Sequence, residues 1–565
     1  MPDYVRDALA VQKLLVANRG EIALRIFRAC HELGIEPVAV VAPDDHGSLH
    51  ARSAGEPVEI RSYLDSEEHI RAAKESGADA IHPGYGFLAE NADFAEAVDA
   101  AGLIFVGPSP EALRLGGDKL EAKRIAAEAD VPVVPTGEPD EVGFPLIVKA
   151  AAGGGGRGMR VVRDESELEE ALQAAKREAK AAFGDDRVFY ERYVERPRHV
   201  EIQLLGDGER VIALGERECS IQRRHQKVLE ESPSTALDPG LRKEMSDAAV
   251  GFAEAIGYAS AGTAEFMLAG RDFYLLELNG RIQVEHPVTE LVTGVDLVAA
   301  QLRIAGGEPL EPSNSLLQAR KGAPGAGSEA SNSLLLSGHA VEVRLYAEDP
   351  RTFLPQAGRL ERLRLPAGIR VDAGVEEGDE IGVGYDPMIA KLIAHGPTRA
   401  EALARLADAL AETEVGGVTT NLPFLRWLVA HPAVQAGRTT TAFLTDFPPL
   451  SEPPVRMPTG PWDGAWRLNL PPPPPHSPPD VDEAAHATGS GGAVESSITA
   501  PMPGTVIRVL AKQGDHVAHR QPLLVLEAMK METPLASPYD ATVKAVHVQE
   551  GDRVAGGALL VELEE

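Results

Sequence analysis

Two glutamates in neighbouring apolar segments are the first candidates for chemistry. Glu265 lies in GTAEF and Glu277 in YLLELNG, and the intervening LAGRD has the composition of a hairpin turn. Such a hairpin would place the two carboxylates side by side on adjacent strands. An acidic pair in apolar strands is costly to bury without a cation, so the pattern predicts a metal site. Mg²⁺ prefers a few carboxylates together with phosphate oxygens, and Asn279 adds an amide oxygen.

The segment that follows carries a cation, an amide and a carboxylate at alternate positions. In an extended chain Arg281, Gln283 and Glu285 would share one face. The guanidinium and the amide suit a small planar anion, and the carboxylate can take a proton from it. Lys227, in RRHQKVLEES, would close this anion site from another strand. The alternative interpretation is a ladder of ion pairs on the surface.

A glycine run in KAAAGGGGRGMR predicts a loop that closes over phosphate groups. Glycine lets the backbone approach an anion and present its N–H groups to it. Lys149 precedes the run and Arg157 lies within the loop, which favours phosphate binding over a simple flexible hairpin. The run consists of Gly153, Gly154, Gly155 and Gly156.

The last part of the chain contains an internal repeat with a lysine near its centre. Gly514-Asp515 and Gly551-Asp552 lie 37 positions apart, and several apolar residues match at the same offset. Two similar half-units predict a pseudo-symmetric β sandwich. Between them lies AMKM, whose Lys530 would stand on an exposed turn and carry a covalently attached group. An ordinary surface lysine is the alternative.

Composition limits the class of protein. The chain has 565 residues, 44% of them hydrophobic and 25% charged, and a formal net charge of -31. Several domains are expected at this length, and the acidic charge argues against nucleic-acid binding. No apolar run is long enough to span a membrane, and the N-terminus lacks a signal-peptide core, so the cytoplasm is expected. Two cysteines exclude a disulfide framework and a cysteine zinc cluster.

The pattern of elements changes along the chain. KLLVANRG, EIALRIFRACHELG and IEPVAVVA predict a strand, a helix and a second strand, hence a parallel sheet at the start. Residues 311–337 contain SNSLL twice and are interpreted as an insertion. PPPPPHSPPD followed by ATGSGG predicts a linker over 448–497 with a stiff and a flexible part.

Residues 1 to about 447 resemble biotin carboxylase, a member of the ATP-grasp superfamily. The resemblance is carried in order by VANRGEIALRI, AIHPGYGFLAEN, KAAAGGGGRGMRVV, RRHQKVLEESPS and LNGRIQVEHPVTELVTG. The tail with AMKM resembles biotinyl carrier domains; lipoyl domains share the repeat but usually lack the methionine pair. The resemblance implies an α/β and α+β multidomain fold. Its parts are a Rossmann-like N-terminal domain (1–125), an ATP-grasp domain with a glycine-rich lid (126–335), a carboxylase C-terminal domain (336–447), the linker (448–497) and an all-β biotinyl half-sandwich domain (498–565).

The resemblance also implies roles for individual residues. It assigns to ATP Lys119, Lys149, Gly153, Gly154, Gly155, Gly156, Glu191, Val194, His199 and His225. It assigns to Mg²⁺ or Mn²⁺ Glu265, Glu277 and Asn279, and to bicarbonate Lys227, Arg281, Gln283 and Val284. Glu285 is then the general base, Arg344 stabilises the oxyanion of the biotin ureido group, and Lys530 carries the biotin.

The implied activity is ATP- and bicarbonate-dependent carboxylation of the tethered biotin. A separate carboxyltransferase β subunit would pass the carboxyl group to acetyl-CoA or propionyl-CoA, the former a step of fatty acid biosynthesis. The α subunits of methylcrotonyl-CoA carboxylase and pyruvate carboxylase stay open as alternatives. A biotin protein ligase and a homo-oligomer within a larger complex are the other expected partners. A carrier with a degenerate ATP site, or another ATP-grasp ligase, is less compatible with the full set of residues.

Lys530 is predicted to be the sole biotinylation site of the chain. Protein coexpressed with a biotin ligase should gain the mass of one biotin, measured by intact-mass spectrometry. The change Lys530→Ala should abolish that gain. A biotin mass that persists in the variant would refute the assignment.

Overall fold

The computed structural model describes residues 11–150, 159–183, 186–223, 226–310, 336–382, 384–451, 497–500, 504–518, 521–528, 531–554 and 558–564. The glycine run, His225 and Lys530 lie outside these residues, as do most of the predicted insertion and most of the predicted linker. Among the described helices, none has the length and apolar character that crossing a membrane requires.

The N-terminal unit is a parallel sheet with helices between its strands. Its elements are β1 (Lys13–Val16), α1 (Gly20–Leu33), β2 (Glu36–Val41), α2 (Leu49–Ser53), β3 (Val58–Glu59), α3 (Ser66–Ser76), β4 (Ala80–His82), α4 (Ala92–Ala100), β5 (Ile104–Phe105) and α5 (Pro110–Gly117). The strand order is β3-β2-β1-β4-β5, and all pairs are parallel. Gly34 ends α1 in the left-handed conformation, which lets the chain reverse into β2. The predicted β-α-β opening is confirmed.

A small antiparallel sheet follows and holds one of the predicted nucleotide lysines. It is built from α6 (Lys119–Glu128), β6 (Thr136–Gly137), α7 (Pro139–Val142), β7 (Leu146–Ala150), β8 (Arg160–Val162), α8 (Leu168–Phe183) and β9 (Val188–Arg192). Its order is β6-β9-β7-β8. Leu146, Val148 and Val162 bury their side chains against Ala175 of α8. Lys149 therefore alternates with buried residues on β7 and lies on the other face.

An eight-stranded sheet is the framework of the molecule. Its first part consists of β10 (Arg198–Asp207), β11 (Val211–Arg223), β12 (Gln226–Ser232), α9 (Pro239–Ala255), β13 (Ala259–Ala269), β14 (Asp272–Asn279), α10 (His286–Thr293) and α11 (Leu297–Ala305). Its second part consists of β15 (His339–Tyr346), β18 (Arg370–Ala373) and β20 (Met388–Gly396). The order is β14-β13-β10-β11-β12-β15-β20-β18. The sheet thus continues across position 335, where the sequence predicted a domain boundary.

Further elements follow up to residue 446, and one of their helices packs on β15 and β20 of this sheet. These elements are β16 (Gly358–Arg359), β17 (Arg362–Arg364), β19 (Glu380–Ile381), α12 (Arg399–Glu412), β21 (Glu414–Gly416), α13 (Leu422–Ala430), α14 (Pro432–Gln435) and α15 (Phe443–Asp446). The segment EALARLADALAET lies almost entirely in α12. It buries Leu403, Leu406 and Leu410, which recur at helical spacing and pack in one core with β15 and β20.

The C-terminal unit is all β, as the repeat predicts. Its strands are β22 (Ser497–Thr499), β23 (Gly504–Val509), β24 (His516–Val517), β25 (Pro522–Ala528), β26 (Met531–Ala536), β27 (Ala541–Val546), β28 (Arg553–Val554) and β29 (Leu559–Glu564). They form two four-stranded sheets, β22-β29-β27-β24 and β26-β25-β23-β28. The repeat relates β23, β24 and β25 to β27, β28 and β29, and related strands lie in opposite sheets. Ala528 pairs with Met531 on either side of the segment that contains Lys530.

Candidate active site

The two glutamates of the predicted metal site face each other across a strand ladder. Glu265 on β13 is the direct partner of Glu277 on β14, and the strands are joined at Gly270 and Arg271. Asn279 donates its side-chain N–H to Glu265 Oε1 over 2.9 Å. Burial and the neighbouring Glu265 raise the pKa of Glu277. Two like charges held together in this way fit a divalent cation, which would relieve their repulsion.

Lys227 lies among three buried carboxylates. Its Nζ atom is 2.5 Å from Glu201, 2.8 Å from Glu265 and 2.6 Å from Glu285. Burial alone would lower the pKa of Lys227, but the carboxylates outweigh it and raise the pKa well above its usual value. Lys227 is therefore a permanent cation at the point where β10, β13 and the start of α10 meet.

Glu285 lies between two cations at the N-terminus of α10. It is the N-cap residue of that helix, and its Oε2 atom is 3.0 Å from Arg344 Nη2 on β15. Burial favours the neutral acid, but Lys227 and Arg344 lower the pKa of Glu285 below its usual range. The side chain is therefore an ionised acceptor at neutral pH. Arg344 and Lys227 both reach Glu285 because their strands, β15 and β12, pair directly with each other.

The segment between Asn279 and α10 is not a continuous extended strand, because it bends at Arg281 and turns at Val284 and Glu285. Arg281 donates to Asn279 Oδ1 and to Glu90, each over 2.9 Å. Gln283 Nε2 donates to Glu265 Oε1 over 2.7 Å. The Val284 carbonyl accepts from Lys391 Nζ over 3.0 Å. The chain must turn here because α10 begins at His286, with proline in its first turn.

The predicted nucleotide residues divide into two groups. Lys149 on β7 lies 2.5 Å from Glu191 on β9, and Lys123 of α6 contacts the same carboxylate. Lys119 opens α6, and burial lowers its pKa, opposed by Glu277 and Glu191. Lys119, Lys123 and Lys149 form a positively charged group around Glu191, here called the cationic wall. The half-buried Val194 lies two residues beyond β9.

His199 belongs to the other group, next to the carboxylates of the predicted metal site. Its Nε2 atom is 3.0 Å from Glu265 and 3.6 Å from Glu201. Burial would lower the pKa of His199, but these carboxylates outweigh it and raise the pKa to about 9. The imidazole is therefore a cation at neutral pH. The assignment of His199 to ATP stays a prediction.

Three buried charged residues of the site were missed by sequence reasoning. Glu201 follows His199 at strand spacing, and this acid in the apolar run HVEIQLL was a usable signal. Arg217 lies in GERE, which resembles a solvated charged strand, yet it is fully buried. Glu230, one position before Glu231, accepts from Arg344 Nε over 2.7 Å. Burial raises the pKa of Glu230 to about 7, with Arg344 opposing the shift.

The same side chains form two further groups with the composition of metal ligands. These groups are His199, Glu201 and Glu265, and Glu201, Cys219 and Glu285. Lys227 already supplies a cation to a carboxylate of each group. The burial of Cys219 raises its pKa, which disfavours the thiolate that a metal requires. Lys227 also contacts Glu265, so the cation site at Glu265 and Glu277 stays a prediction.

The charge state of His199 yields a pH prediction for stability. Its folded pKa of about 9 exceeds the ordinary value of 6.5, so its stabilising contribution is complete below about pH 6.5 and is lost as the pH rises through 9. His199→Gln should therefore lower the melting temperature of the carboxylase transition more at about pH 7 than at about pH 9.5. His82→Gln is the control, because burial lowers the pKa of His82 to about 3. A cost of His199→Gln that does not vary between these pH values would contradict the assignment.

Four sequence families match the chain in order. Residues 10–113 match the biotin carboxylase N-terminal domain, and residues 118–313 match the carbamoyl-phosphate synthase L chain ATP-binding domain. Residues 342–446 match the biotin carboxylase C-terminal domain, and residues 496–563 match the family described as biotin-requiring enzyme.

Similar proteins cover both the catalytic and the carrier parts. The propionyl-CoA carboxylase alpha chain of Ruegeria pomeroyi is 46% identical over 77% of this chain and 68% of its own length. The mitochondrial propionyl-CoA carboxylase alpha chain of Mus musculus is 36% identical over 100% of this chain and 93% of its own. Its alignment spans 701 positions against 565 residues here, so the mouse chain contains segments that this one lacks. The biotin carboxylase of Haemophilus influenzae is 45% identical over 77% of this chain and 98% of its own.

Solved structures agree with the fold of the catalytic part. The biotin carboxylase domain of Hydrogenobacter thermophilus 2-oxoglutarate carboxylase, in complex with MgADP, ADP and bicarbonate, is 42% identical with a TM-score of 0.72. It covers 78% of this chain and 98% of that domain. Rhizobium etli pyruvate carboxylase is also 42% identical with a TM-score of 0.72, over 78% of this chain and 40% of that one. The chain belongs to the biotin-dependent carboxylases and combines an ATP-dependent biotin carboxylase with the biotinyl domain that carries its cofactor.

Proposed function

We propose that the chain is the α subunit of an acyl-CoA carboxylase, with propionyl-CoA as the favoured acceptor. The relatives from Mus musculus and Homo sapiens that align over 100% and 99% of this chain are propionyl-CoA carboxylase alpha chains, which supports this acceptor over acetyl-CoA. A methylcrotonoyl-CoA carboxylase subunit of Arabidopsis thaliana is 44% identical over 77% of this chain, so that acceptor is the second candidate. The observation that carries the carboxylation step itself is the placement of Lys227 and Arg344 on either side of Glu285.

The nucleotide would bind along the cationic wall. Lys119 and Lys149 supply positive charge for its phosphates, and the glycine run would cover them with backbone N–H groups. Glu265, Glu277 and Asn279 would hold Mg²⁺, or Mn²⁺, which supplies charge neutralisation for the transferring phosphoryl group. Glu191 would orient Lys149 through their ion pair.

Bicarbonate would bind next to this position, against Lys227, Arg281 and Gln283. Glu285 is ionised and faces the same space, so it can take the proton as bicarbonate attacks the γ-phosphate of ATP. ADP leaves, and the carboxyphosphate formed breaks down to CO₂ and phosphate, which can take the proton of the ureido nitrogen. Biotin, when bound, supplies the ureido nitrogen that accepts the carboxyl group. Arg344 is placed to neutralise the oxyanion that develops there.

The organisation of the chain completes this proposal. The five-part division predicted from sequence gives a carrier domain attached by a linker over 448–497. This linker would keep the carrier domain close to the carboxylase site yet let it reach a second active site. Membership of the family implies a carboxyltransferase partner, and we assign it to a separate β subunit. A biotin protein ligase, a homo-oligomeric assembly and a cytoplasmic location are further parts of the proposal.

The division of labour between subunits can be tested with labelled bicarbonate. The biotinylated chain with ATP and Mg²⁺ should place label on its own biotin. Adding propionyl-CoA should give no acid-stable product until a carboxyltransferase subunit is supplied, since the matched families account for biotin carboxylation and for the carrier domain. Labelled methylmalonyl-CoA formed by the chain alone would contradict the proposal.

The role of Glu285 as the base can be tested by substitution. Glu285→Gln keeps the shape but removes the proton acceptor, so carboxylation should fall about 10²–10⁴-fold while ATP affinity is kept. Glu216→Gln is the matched control, because Glu216 is equally buried and pairs with Arg242. A Glu285→Gln enzyme within a few-fold of wild type would refute the assignment.

A further inference from the structure

Arg217 is a fully buried guanidinium at the centre of β11 whose hydrogen-bonding capacity is used completely. A guanidinium has five N–H donors and no acceptor. Each of the five is matched by an oxygen from the elements that surround the anion site. The acceptors are Glu201 Oε1 at 2.5 Å, Gln203 Oε1 at 2.5 Å, Thr289 Oγ1 at 2.9 Å, Thr263 Oγ1 at 3.1 Å and Gln283 Oε1 at 2.8 Å.

The first consequence concerns the amide of Gln283. Because Arg217 only donates, the group turned toward it must be the amide oxygen. The NH₂ group of Gln283 then faces the opposite side, where it donates to Glu265 over 2.7 Å. If the Gln283 amide were rotated, its NH₂ group would face the N–H groups of Arg217. A donor of the buried guanidinium would then lose its acceptor, which costs free energy of folding. Arg217 thus makes Gln283 an N–H donor on the side of Glu265, the carboxylate that Lys227 also contacts.

The second consequence concerns Lys227. Arg217 holds one oxygen of Glu201, and Lys227 holds the other over 2.5 Å. The position of the ammonium therefore depends on a carboxylate that Arg217 keeps in place. Thr289 lies on α10, so the same guanidinium also ties the helix that begins at Glu285 to β11.

We infer that Arg217 is a positioning residue that presets the bicarbonate site, by fixing Gln283 as an N–H donor and by anchoring Lys227 through Glu201. This inference rests on the proposed function, since it assumes that bicarbonate binds against these two side chains. Arg217 itself has no donor left for the substrate. Its effect should therefore be on bicarbonate and not on ATP, whose predicted lysines lie on β7 and α6.

The test is a comparison of steady-state constants with free biotin as acceptor. Lysine has a compact ammonium that cannot reproduce the five-donor fork, so Arg217→Lys should release Gln283 while keeping the charge. The KM for bicarbonate should rise about tenfold or more, the usual worth of one hydrogen bond to a charged group. The KM for ATP should stay within about twofold.

A double-mutant cycle separates positioning from general damage. Gln283→Ala should itself raise the KM for bicarbonate. Arg217→Lys should raise this KM by a smaller factor in the Gln283→Ala background than in the wild-type chain. Arg25→Lys is the matched control, since Arg25 is also buried and pairs with Glu290 and Asp296. It should lower thermal stability without a selective effect on bicarbonate.

A second pair of substitutions keeps the test decisive if Arg217→Lys fails to fold. Thr263→Val with Thr289→Val removes two acceptors of the guanidinium and retains side-chain shape, and it should raise the KM for bicarbonate selectively. Suppose that Gln283→Ala raises the KM for bicarbonate. The inference is then overturned if the Arg217 or threonine variants leave this KM unchanged, or raise the KM for ATP equally. If Gln283→Ala has no effect either, the assignment of the bicarbonate site fails. A wild-type chain without bicarbonate-dependent ATP hydrolysis would refute the proposed function itself.

Discussion

The site depends on the neutralisation of buried carboxylates by cations that belong to the chain. Glu201, Glu265 and Glu285 are almost fully buried and share Lys227. Removing one partner from such a cluster typically costs about 3–5 kcal/mol, because an uncompensated charge is left in a medium of low polarity. On the proposed assignment, the cations that would bind the substrate anion are the same groups that hold the site together. Substrate binding would then exchange one ion-pair partner for another within the existing cluster.

The eight-stranded sheet makes this cluster possible. It brings β15, from the part of the chain after residue 335, directly against β12. Arg344 thereby reaches both Glu230 and Glu285, which lie more than 50 positions earlier in the sequence. The backbone ladder fixes the distance between the cation expected to act on biotin and the base expected to act on bicarbonate. Two reactions that must follow each other are held on one rigid framework.

The carrier unit is built on a different principle. Its repeat places equivalent strands in opposite sheets, so each half-unit contributes to both layers of one small core. A unit with its own core can move as a body on a linker without loss of stability. The catalytic part has no such freedom, because its site is assembled from strands and helices that cannot separate.

The sequence by itself determined the features that depend on local pattern. The hairpin between Glu265 and Glu277, the β-α-β opening, α12 and the 37-residue repeat each follow from spacing over short distances, where turn composition and apolar period decide the structure. Family motifs added the expected role of Arg344, whereas Glu201 beside Lys227 was missed. The roles of Lys530, His225 and the glycine run stay predictions from sequence, since these residues lie outside the described part of the chain.

Only the tertiary structure decided which charges are buried and which partners they have. Arg217 lies in GERE, a segment whose local pattern is that of a solvated strand, and its burial results from β10, β13 and α10 closing around it. The chain from Arg281 to Glu285 turns where alternation alone suggested an extended face, because the start of α10 sets its path. The pairing of Arg344 with Glu285 depends on the register of β12 against β15. These contacts join residues far apart in sequence, and their charge complementarity becomes visible only when the sheet brings them together.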